Sequence, residues 1–208
     1  MKISTWNVNS VNARIEHLEK FIKKDQSDIY LLQELKTIED GFPKEIIKNA
    51  GYYSYVNGQK AWNGVAILSK EKLEITNTSI PKYDDPNARF IETEIQLKKI
   101  KKNIKLINIY LPNGNPIETE KFDYKIKWMK KFNSYIQELK DNNIPIIISG
   151  DFNVIPTDDD VYSPENFKND ACAHPLTREQ YRILINMGFT DLVKHFVEGK
   201  TNWTFWGY

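Results

Sequence analysis

Two polar side chains follow the most apolar stretch of the chain, and their types suit metal-assisted chemistry. The segment 144–149 contains four isoleucines and leads through Gly150 to Asp151 and Asn153. Branched side chains in so short a run favour a buried strand over a helix. Because side chains alternate along a strand, Asp151 and Asn153 would point to the same side. Their oxygen atoms suit Mg²⁺ or Ca²⁺, and a carboxylate beside such an ion can orient a water molecule.

Two more strand-like segments end in residues that could join such a site. Glu34 ends the segment 28–34, and Tyr110 ends the segment 104–110, where its phenol could donate a hydrogen bond to an oxyanion. Each candidate also has an ordinary interpretation. Gly, Asp and Asn are common turn residues, a strand-terminal Glu is usually solvated, and a Tyr often covers the edge of a core.

Two other stretches combine features that fit nucleic-acid binding. Lys60 and Asn63 lie in a polar loop, 57–63, which also contains a tryptophan and could hold a phosphate backbone. A simple hairpin connection explains the same loop equally well. The segment 202–208 is aromatic and strand-like, so its rings could stack on bases or pack in the core.

Composition limits the class of protein. The 208 residues carry 29 Lys and Arg against 28 Asp and Glu, a net charge of +1, so any nucleic-acid binding must use a local patch. The single cysteine, Cys172, excludes an internal disulfide framework and suits a reducing cytoplasm. The first residues lack the apolar run of a signal peptide, and no stretch is long enough to span a membrane. We therefore expect a cytoplasmic protein without membrane association.

The predicted elements indicate an α/β (α+β) fold in one domain, 1–208. Amphipathic helical spacing extends through 11–22 and 117–140, and a further helix is predicted over 178–187. Strand patterns fill much of 2–8, 28–34, 52–110 and 144–149. Strand pairs with helices between them predict two β-sheets packed together with helices outside, rather than a doubly wound parallel sheet.

Together, six motifs and one loop resemble the exonuclease III family of abasic-site endonucleases, in the right order along the whole chain. The motifs are Thr-Trp-Asn-Val at 5–8, Leu-Gln-Glu-Leu-Lys at 32–36, Asn-Gly-Gln-Lys at 57–60, Asn-Gly-Val-Ala-Ile-Leu-Ser at 63–69, Ile-Tyr-Leu-Pro-Asn-Gly at 109–114 and Gly-Asp-Phe-Asn-Val-Ile-Pro at 150–156, and the loop is 160–164.

The resemblance implies a four-layered sandwich of two mixed β-sheets flanked by helices. It also implies a monomeric base-excision-repair hydrolase that uses Mg²⁺, with Mn²⁺ as a possible substitute. Its substrate would be duplex DNA with abasic sites or 3′ ends. On this basis Glu34 binds the metal beside Asn7, and Asp151 orients or deprotonates the attacking water. Asn153, itself a metal-site residue, and Tyr110 would stabilise the charged phosphorane.

The same resemblance assigns DNA contacts. Lys60 and Asn63 match the loop that approaches the backbone, and Arg89 matches an arginine near the DNA. Phe205 and Trp206 match the aromatic pair that helps to recognise the abasic site.

One departure concerns the C-terminal end of the family pattern. In the family an Arg-x-Asp stretch and a Ser-Asp-His motif supply another aspartate and a histidine. Neither of these two motifs follows Tyr208 in this sequence, and Gly207 replaces a residue that is usually acidic. We therefore expect nuclease activity to be weakened or lost. Two alternatives remain open: a non-catalytic DNA-binding remnant, and a phosphatase of the same superfamily acting on lipid or inositol phosphates.

Overall fold

The computed structural model describes residues 1–97, 102–197 and 203–204. Within them the strands are β1 (Ile3–Asn7), β2 (Ile29–Gln33), β3 (Tyr53–Asn57), β4 (Val65–Ser69), β5 (Ile75–Asn77), β6 (Phe90–Leu97), β7 (Lys102–Tyr110) and β8 (Ile146–Asp151), and the helices are α1 (Ile15–Asp25), α2 (Lys44–Asn49), α3 (Glu120–Asp141), α4 (Pro175–Asn186) and α5 (Leu192–Phe196). No helix in these residues has the length and apolar character needed to cross a membrane.

The chain divides into two compact units, which are described one at a time. The first contains Met1–Tyr110 and Asp141–Phe152, and the second contains Leu111–Lys140 and the described residues from Asn153 onward. The first unit holds all eight strands of the described residues. The expectation of a single domain stays a prediction.

One sheet of the first unit has the strand order β1-β2-β4-β3. β1 and β2 are parallel, with Asn7 opposite Gln33, whereas β4 pairs antiparallel with β2 and β3. Every residue of β2 and β4 is buried, which explains their continuous apolar sequences. The parallel pair brings the carboxyl ends of β1 and β2 to the same edge.

The other sheet has the order β5-β6-β7-β8 and again ends in one parallel pair. In β7 and β8, Tyr110 lies opposite Asp151. Gly150 is required beside them, because its φ is +136° and a Cβ there would lie 2.1 Å from the carbonyl oxygen of Ile109. The glycine thus allows β8 to pair with β7 up to the aspartate.

Two apolar clusters show how these sheets are covered. Helices α1 and α2 bury Leu18 and Ile47 against side chains of the first sheet, among them Tyr30 and Leu68. Residues of both sheets, including Leu31, Ile67, Ile91 and Leu106, form the second cluster. The prediction of two mixed β-sheets with helices is confirmed.

Two buried side-chain amides connect the two sheets that form this second cluster. Gln33 of β2 and Asn108 of β7 are 1% and 0% exposed, and Gln33 Nε2 donates to Asn108 Oδ1 at 2.7 Å. Asn108 Nδ2 in turn donates to the carbonyl oxygens of Leu32 at 3.0 Å and Ala66 at 2.9 Å. A buried polar group costs free energy unless it is paired, so this network favours one register between the sheets.

In the second unit, α3 buries the stripe that helical spacing predicts, with Phe122, Met129, Phe132 and Ile136 all buried. Helix α4 begins at Pro175, three residues before the predicted start. The helix extends further because His174 caps it, its ring Nδ1 accepting a hydrogen bond from the backbone N–H of Leu176 at 3.2 Å.

Replacing Asn108 by Leu should lower the free energy of unfolding by about 1–3 kcal/mol, because the buried amide of Gln33 loses a partner. Urea unfolding of the two proteins measures the loss. Asn103 offers a matched control, since it lies on the same strand with an exposed side chain. Equal losses for Asn103→Leu and Asn108→Leu would contradict the structural role of the amide pair.

Candidate active site

Four strand ends of the first unit deliver polar side chains to one place. Asn7 ends β1, Glu34 follows β2, Tyr110 ends β7 and Asp151 ends β8. Parallel pairing explains the grouping within each sheet, and hydrogen bonds connect the two groups across the sheets. The structure therefore brings together four residues that the sequence singled out.

The side chain of Asn7 joins the two carboxylates. Its Nδ2 donates to Glu34 Oε1 at 2.7 Å and to Asp151 Oδ2 at 2.8 Å. Its Oδ1 accepts a hydrogen bond from the backbone N–H of Asn9 at 3.0 Å, which fixes the orientation of the amide. Both carboxylates are thus held close to one nitrogen atom.

The turns after β1 and β2 support this arrangement and add a cation. Glu34 has a left-handed backbone, with φ of +54°, and its carbonyl oxygen accepts from the N–H of Ser10 at 2.7 Å. Lys36 Nζ lies 3.2 Å from Glu34 Oε2 and also donates to Asn9 Oδ1. Lys36 was not predicted as a site residue, because a lysine just after a strand is usually solvated.

Tyr110 is held as a neutral hydrogen-bond donor. Burial raises the pKa of its phenol, as do the negative charge of Glu34, the hydrogen bond to Glu34 and the charge of Asp151, while Arg89 lowers it. The Arg89 guanidinium lies 4.8 Å from the centre of the Tyr110 ring, and it donates to the Tyr110 carbonyl oxygen at 3.1 Å. Because its pKa is raised above the ordinary value of 10.0, the phenol keeps its proton even in alkaline solution.

The chemistry of these donors fits a hard divalent cation. Glu34 and Asp151 supply carboxylate oxygens, and Asn7 organises them. No cluster of three or more His, Cys, Asp or Glu ligands occurs among residues 1–97, 102–197 and 203–204. Two carboxylates are nevertheless sufficient for Mg²⁺, which usually keeps several water molecules and binds one or two protein carboxylates.

The predicted DNA-binding residues of the first unit differ in exposure. Lys60 is exposed. Asn63 is only 8% exposed, and its Nδ2 donates to Gln59 Oε1 at 2.8 Å and Asn87 Oδ1 at 3.2 Å. Asn63 therefore shapes its loop. Phe205 and Trp206 lie outside the described residues.

Asn153 belongs to the second unit, where its amide Nδ2 donates to the carbonyl oxygen of Leu111 at 2.8 Å. Its own carbonyl oxygen accepts from Lys125 Nζ at 2.6 Å, and the same ammonium donates to the Pro112 carbonyl at 2.9 Å. Lys125 is fully buried. Its hydrogen bonds hold the segments of Pro112 and Asn153 together, a connection that sequence reasoning did not make. The role of Asn153 as a ligand stays a prediction.

Comparison with known proteins gives consistent results. The model of the endonuclease/exonuclease/phosphatase family matches residues 4–208. Exodeoxyribonuclease III of Haemophilus influenzae is 34% identical over 203 residues, which span 92% of this chain and 74% of that protein.

Solved structures show the same likeness. An AP endonuclease from Archaeoglobus fulgidus superimposes with a TM-score of 0.91 and 32% identity, covering 100% of this chain and 79% of the other. A 3′ phosphatase from Neisseria, solved with a product DNA hairpin, gives a TM-score of 0.85 and 31% identity over 94% of this chain and 74% of its own.

Replacing Glu34 by Gln should lower the pKa of Tyr110, because the substitution removes the negative charge that raises this pKa most. A pH titration followed by carbon NMR of ¹³Cζ-labelled tyrosine measures the pKa of Tyr110. The Tyr110 signal is the one that is absent from the spectrum of Tyr110→Phe. In the wild type this signal should remain that of a neutral phenol above pH 10. Glu39→Gln, an exposed substitution, is the control. A Tyr110 signal that titrates near pH 10 in the wild type would contradict the prediction.

Replacing Lys125 by Met should cost about 1–3 kcal/mol of stability, since two backbone carbonyls lose their charged donor. Lys130→Met, on the exposed face of the same helix, should have little effect. Thermal unfolding and urea titration compare the three proteins. A Lys125→Met variant with the same free energy of unfolding as the wild type would show that the buried ammonium is dispensable.

Proposed function

Because the chain belongs to the endonuclease/exonuclease/phosphatase family, we propose that it is a DNA-repair nuclease that hydrolyses phosphodiester bonds at abasic sites and 3′ ends of duplex DNA. The observation that carries the proposal is the pair of carboxylates joined by Asn7 and accompanied by Tyr110. Relatives named as exodeoxyribonuclease III, AP endonuclease and 3′ phosphatase support this substrate class.

The family is one of metal-dependent hydrolases. The proposed ion is Mg²⁺, with Mn²⁺ as a substitute, held by Glu34 and Asp151. Once bound, such an ion polarises a phosphoryl oxygen and stabilises the charge that develops on the phosphate. Asn7 keeps the two carboxylates in place for it, while Asn153 is proposed as a further oxygen ligand.

In the proposed reaction Asp151 orients the attacking water and accepts its proton. A general base of this kind must lie within hydrogen-bond reach of the water, and it contributes about 10²–10⁴-fold to the rate. The bond from Asn7 Nδ2 to Asp151 Oδ2 fixes the rotation of that carboxylate. After attack, the same carboxyl group can return the proton to the leaving oxygen.

Tyr110 is proposed to donate a hydrogen bond to the phosphate as negative charge accumulates, with Asn153 assisting. A raised pKa serves this role, because an ionised phenolate would repel the phosphate. Arg89, stacked on the ring of Tyr110, adds positive charge beside the same donor.

The proposed partner is duplex DNA, bound by a monomer in the cytoplasm. Lys60 and Arg89 would contact phosphates, Asn63 would hold the loop that carries Lys60, and Phe205 with Trp206 would recognise the missing base. Such a local patch agrees with a net charge of only +1. The phosphatase alternative on lipid or inositol phosphates is not favoured, since the relatives are named as an exodeoxyribonuclease, an AP endonuclease and a 3′ phosphatase solved with DNA.

Incubation with Mg²⁺ and a duplex carrying one abasic site tests the proposal. The wild type should incise the strand, and Asp151→Asn should lower the rate by at least about 100-fold, because the base that accepts the proton is lost. Asp159→Asn, on an exposed turn, should retain the rate. Denaturing gel electrophoresis of the labelled strand measures incision.

Three outcomes would contradict the proposal: a wild type that neither binds nor incises abasic DNA, incision that survives Asp151→Asn, and faster hydrolysis of inositol phosphates than of DNA. The expectation of weakened activity stays a prediction, and the same assay addresses it. A rate equal to that of the Haemophilus influenzae enzyme would make that expectation wrong.

A further inference from the structure

A tryptophan in the loop between β3 and β4 is presented to solvent. The side chain of Trp62 is 69% exposed, and its neighbours Lys60 and Ala61 are exposed too. Leaving a large aromatic ring in water forgoes the free energy that its burial would contribute. The proposed reaction mechanism does not use this side chain.

The loop that carries Trp62 is nevertheless firmly fixed. The Gln59 amide oxygen accepts from Asn63 Nδ2 at 2.8 Å and from the N–H of Ala88 at 3.1 Å. The N–H of Gly64 donates to the Ala88 carbonyl at 2.9 Å. At the start of the loop, Gly58 packs so tightly that a Cβ would lie 2.6 Å from the Thr37 carbonyl oxygen. Both ends of the loop are therefore held against neighbouring segments.

The backbone on each side of Trp62 is also strained. Ala61 has φ of +65° and Asn63 has φ of +52°, both in the left-handed region. Asparagine tolerates this conformation, but alanine adopts it rarely because of its Cβ. Strain that neighbouring structure maintains is a sign of function, and here it coincides with an exposed aromatic ring.

The fixed end of the loop adjoins the candidate site. The carbonyl oxygen of Asn63 accepts from the N–H of Lys36 at 2.9 Å, and that of Gly64 accepts from the N–H of Leu35 at 3.2 Å. Leu35 and Lys36 directly follow Glu34 in the chain. The residue after Trp62 is thus hydrogen-bonded to the turn that carries a candidate metal ligand.

We propose that Trp62 is a stacking platform for a nucleobase of the DNA substrate next to the cleaved phosphodiester, with Lys60 on the adjacent phosphate. The proposal rests on the nuclease function above. An aromatic ring stacks on any base, and a duplex that lacks one base exposes the face of its neighbour. A rigid loop suits this role, because little conformational freedom is lost when the base binds.

Binding in the absence of divalent metal tests the proposal without cleavage. The probe is a fluorescein-labelled duplex with a tetrahydrofuran abasic analogue, followed by anisotropy over a series of salt concentrations. Trp62→Ala should weaken binding by about tenfold, and Trp62→Phe should restore most of the affinity because it keeps a stacking ring. Tyr53→Ala, which removes an aromatic ring 53% exposed at the far end of β3, should leave binding unchanged.

Salt dependence separates the roles of the two loop residues. Lys60→Ala should reduce the slope of log affinity against log salt by about one, whereas Trp62→Ala should leave the slope unchanged. Tryptophan emission gives an independent signal. Quenching by the unlabelled duplex should be smaller in Trp62→Phe than in the wild type, since a stacked indole is quenched.

The outcomes distinguish this inference from the proposed function. If the wild type incises abasic DNA while Trp62→Ala matches it in affinity and quenching, the stacking role is wrong and the nuclease function stands. If the wild type neither binds nor incises DNA, both fail. Equal melting temperatures of the wild type and Trp62→Ala show that an affinity loss does not come from unfolding.

Discussion

The hydrogen bonds of one amide group, that of Asn7, hold the candidate site together. Two carboxylates a few ångströms apart inside a protein repel each other strongly. The Asn7 amide donates to both Glu34 and Asp151, and Lys36 offsets part of the charge of Glu34. What remains is a concentration of negative charge on hard oxygens, and a divalent cation relieves it. The same feature that strains the free protein therefore favours the ion on which the proposed chemistry depends.

Buried amides behind the site keep its two halves in register. Gln33 directly precedes Glu34, and Asn108 lies two residues before Tyr110, so the bond between them connects the strands that carry these site residues. Apolar contacts between sheets tolerate sliding, whereas a buried hydrogen bond has one favourable geometry. The core thus contributes stability through its isoleucines and leucines, and it contributes alignment through two polar side chains.

Much of this could be predicted from the sequence, for identifiable reasons. Gly150 and Asp151 stand out because an apolar run ends there, and Glu34 and Tyr110 end strands in the same way. Family and fold class are confirmed. The meeting of these residues could not be derived from local patterns, because it depends on strand order, which sets contacts between residues far apart in the chain. Only the resemblance to a family joined them.

The residues whose roles sequence reasoning missed were missed for one physical reason. Lys125 lies on the buried side of α3, where a pattern-based interpretation expects a solvated ammonium, yet two backbone carbonyls satisfy it. His174 caps α4 through a ring nitrogen, although histidine is not a preferred capping residue. In each case a specific hydrogen bond overrides the average behaviour of the residue type, and no spacing rule records that bond.

Backbone strain in the described residues gathers near the candidate site. Eleven non-glycine residues have positive φ. Six of these residues lie in two regions near the site. The turns after β1 and β2 contain Asn9, Ser10, Glu34 and Lys36. In the loop between β3 and β4, Ala61 and Asn63 flank Trp62. Each such residue costs of order 1 kcal/mol and persists only where its surroundings enforce it. Here the surroundings are hydrogen bonds between turns, such as that from Ser10 to Glu34.

Fully buried β2 and β4 supply the stability that allows the strain, and the strained turns orient side chains in directions that regular strands could not provide. The division of labour between a rigid apolar core and strained polar turns is thus what lets this chain concentrate like charges at one edge of its sheets.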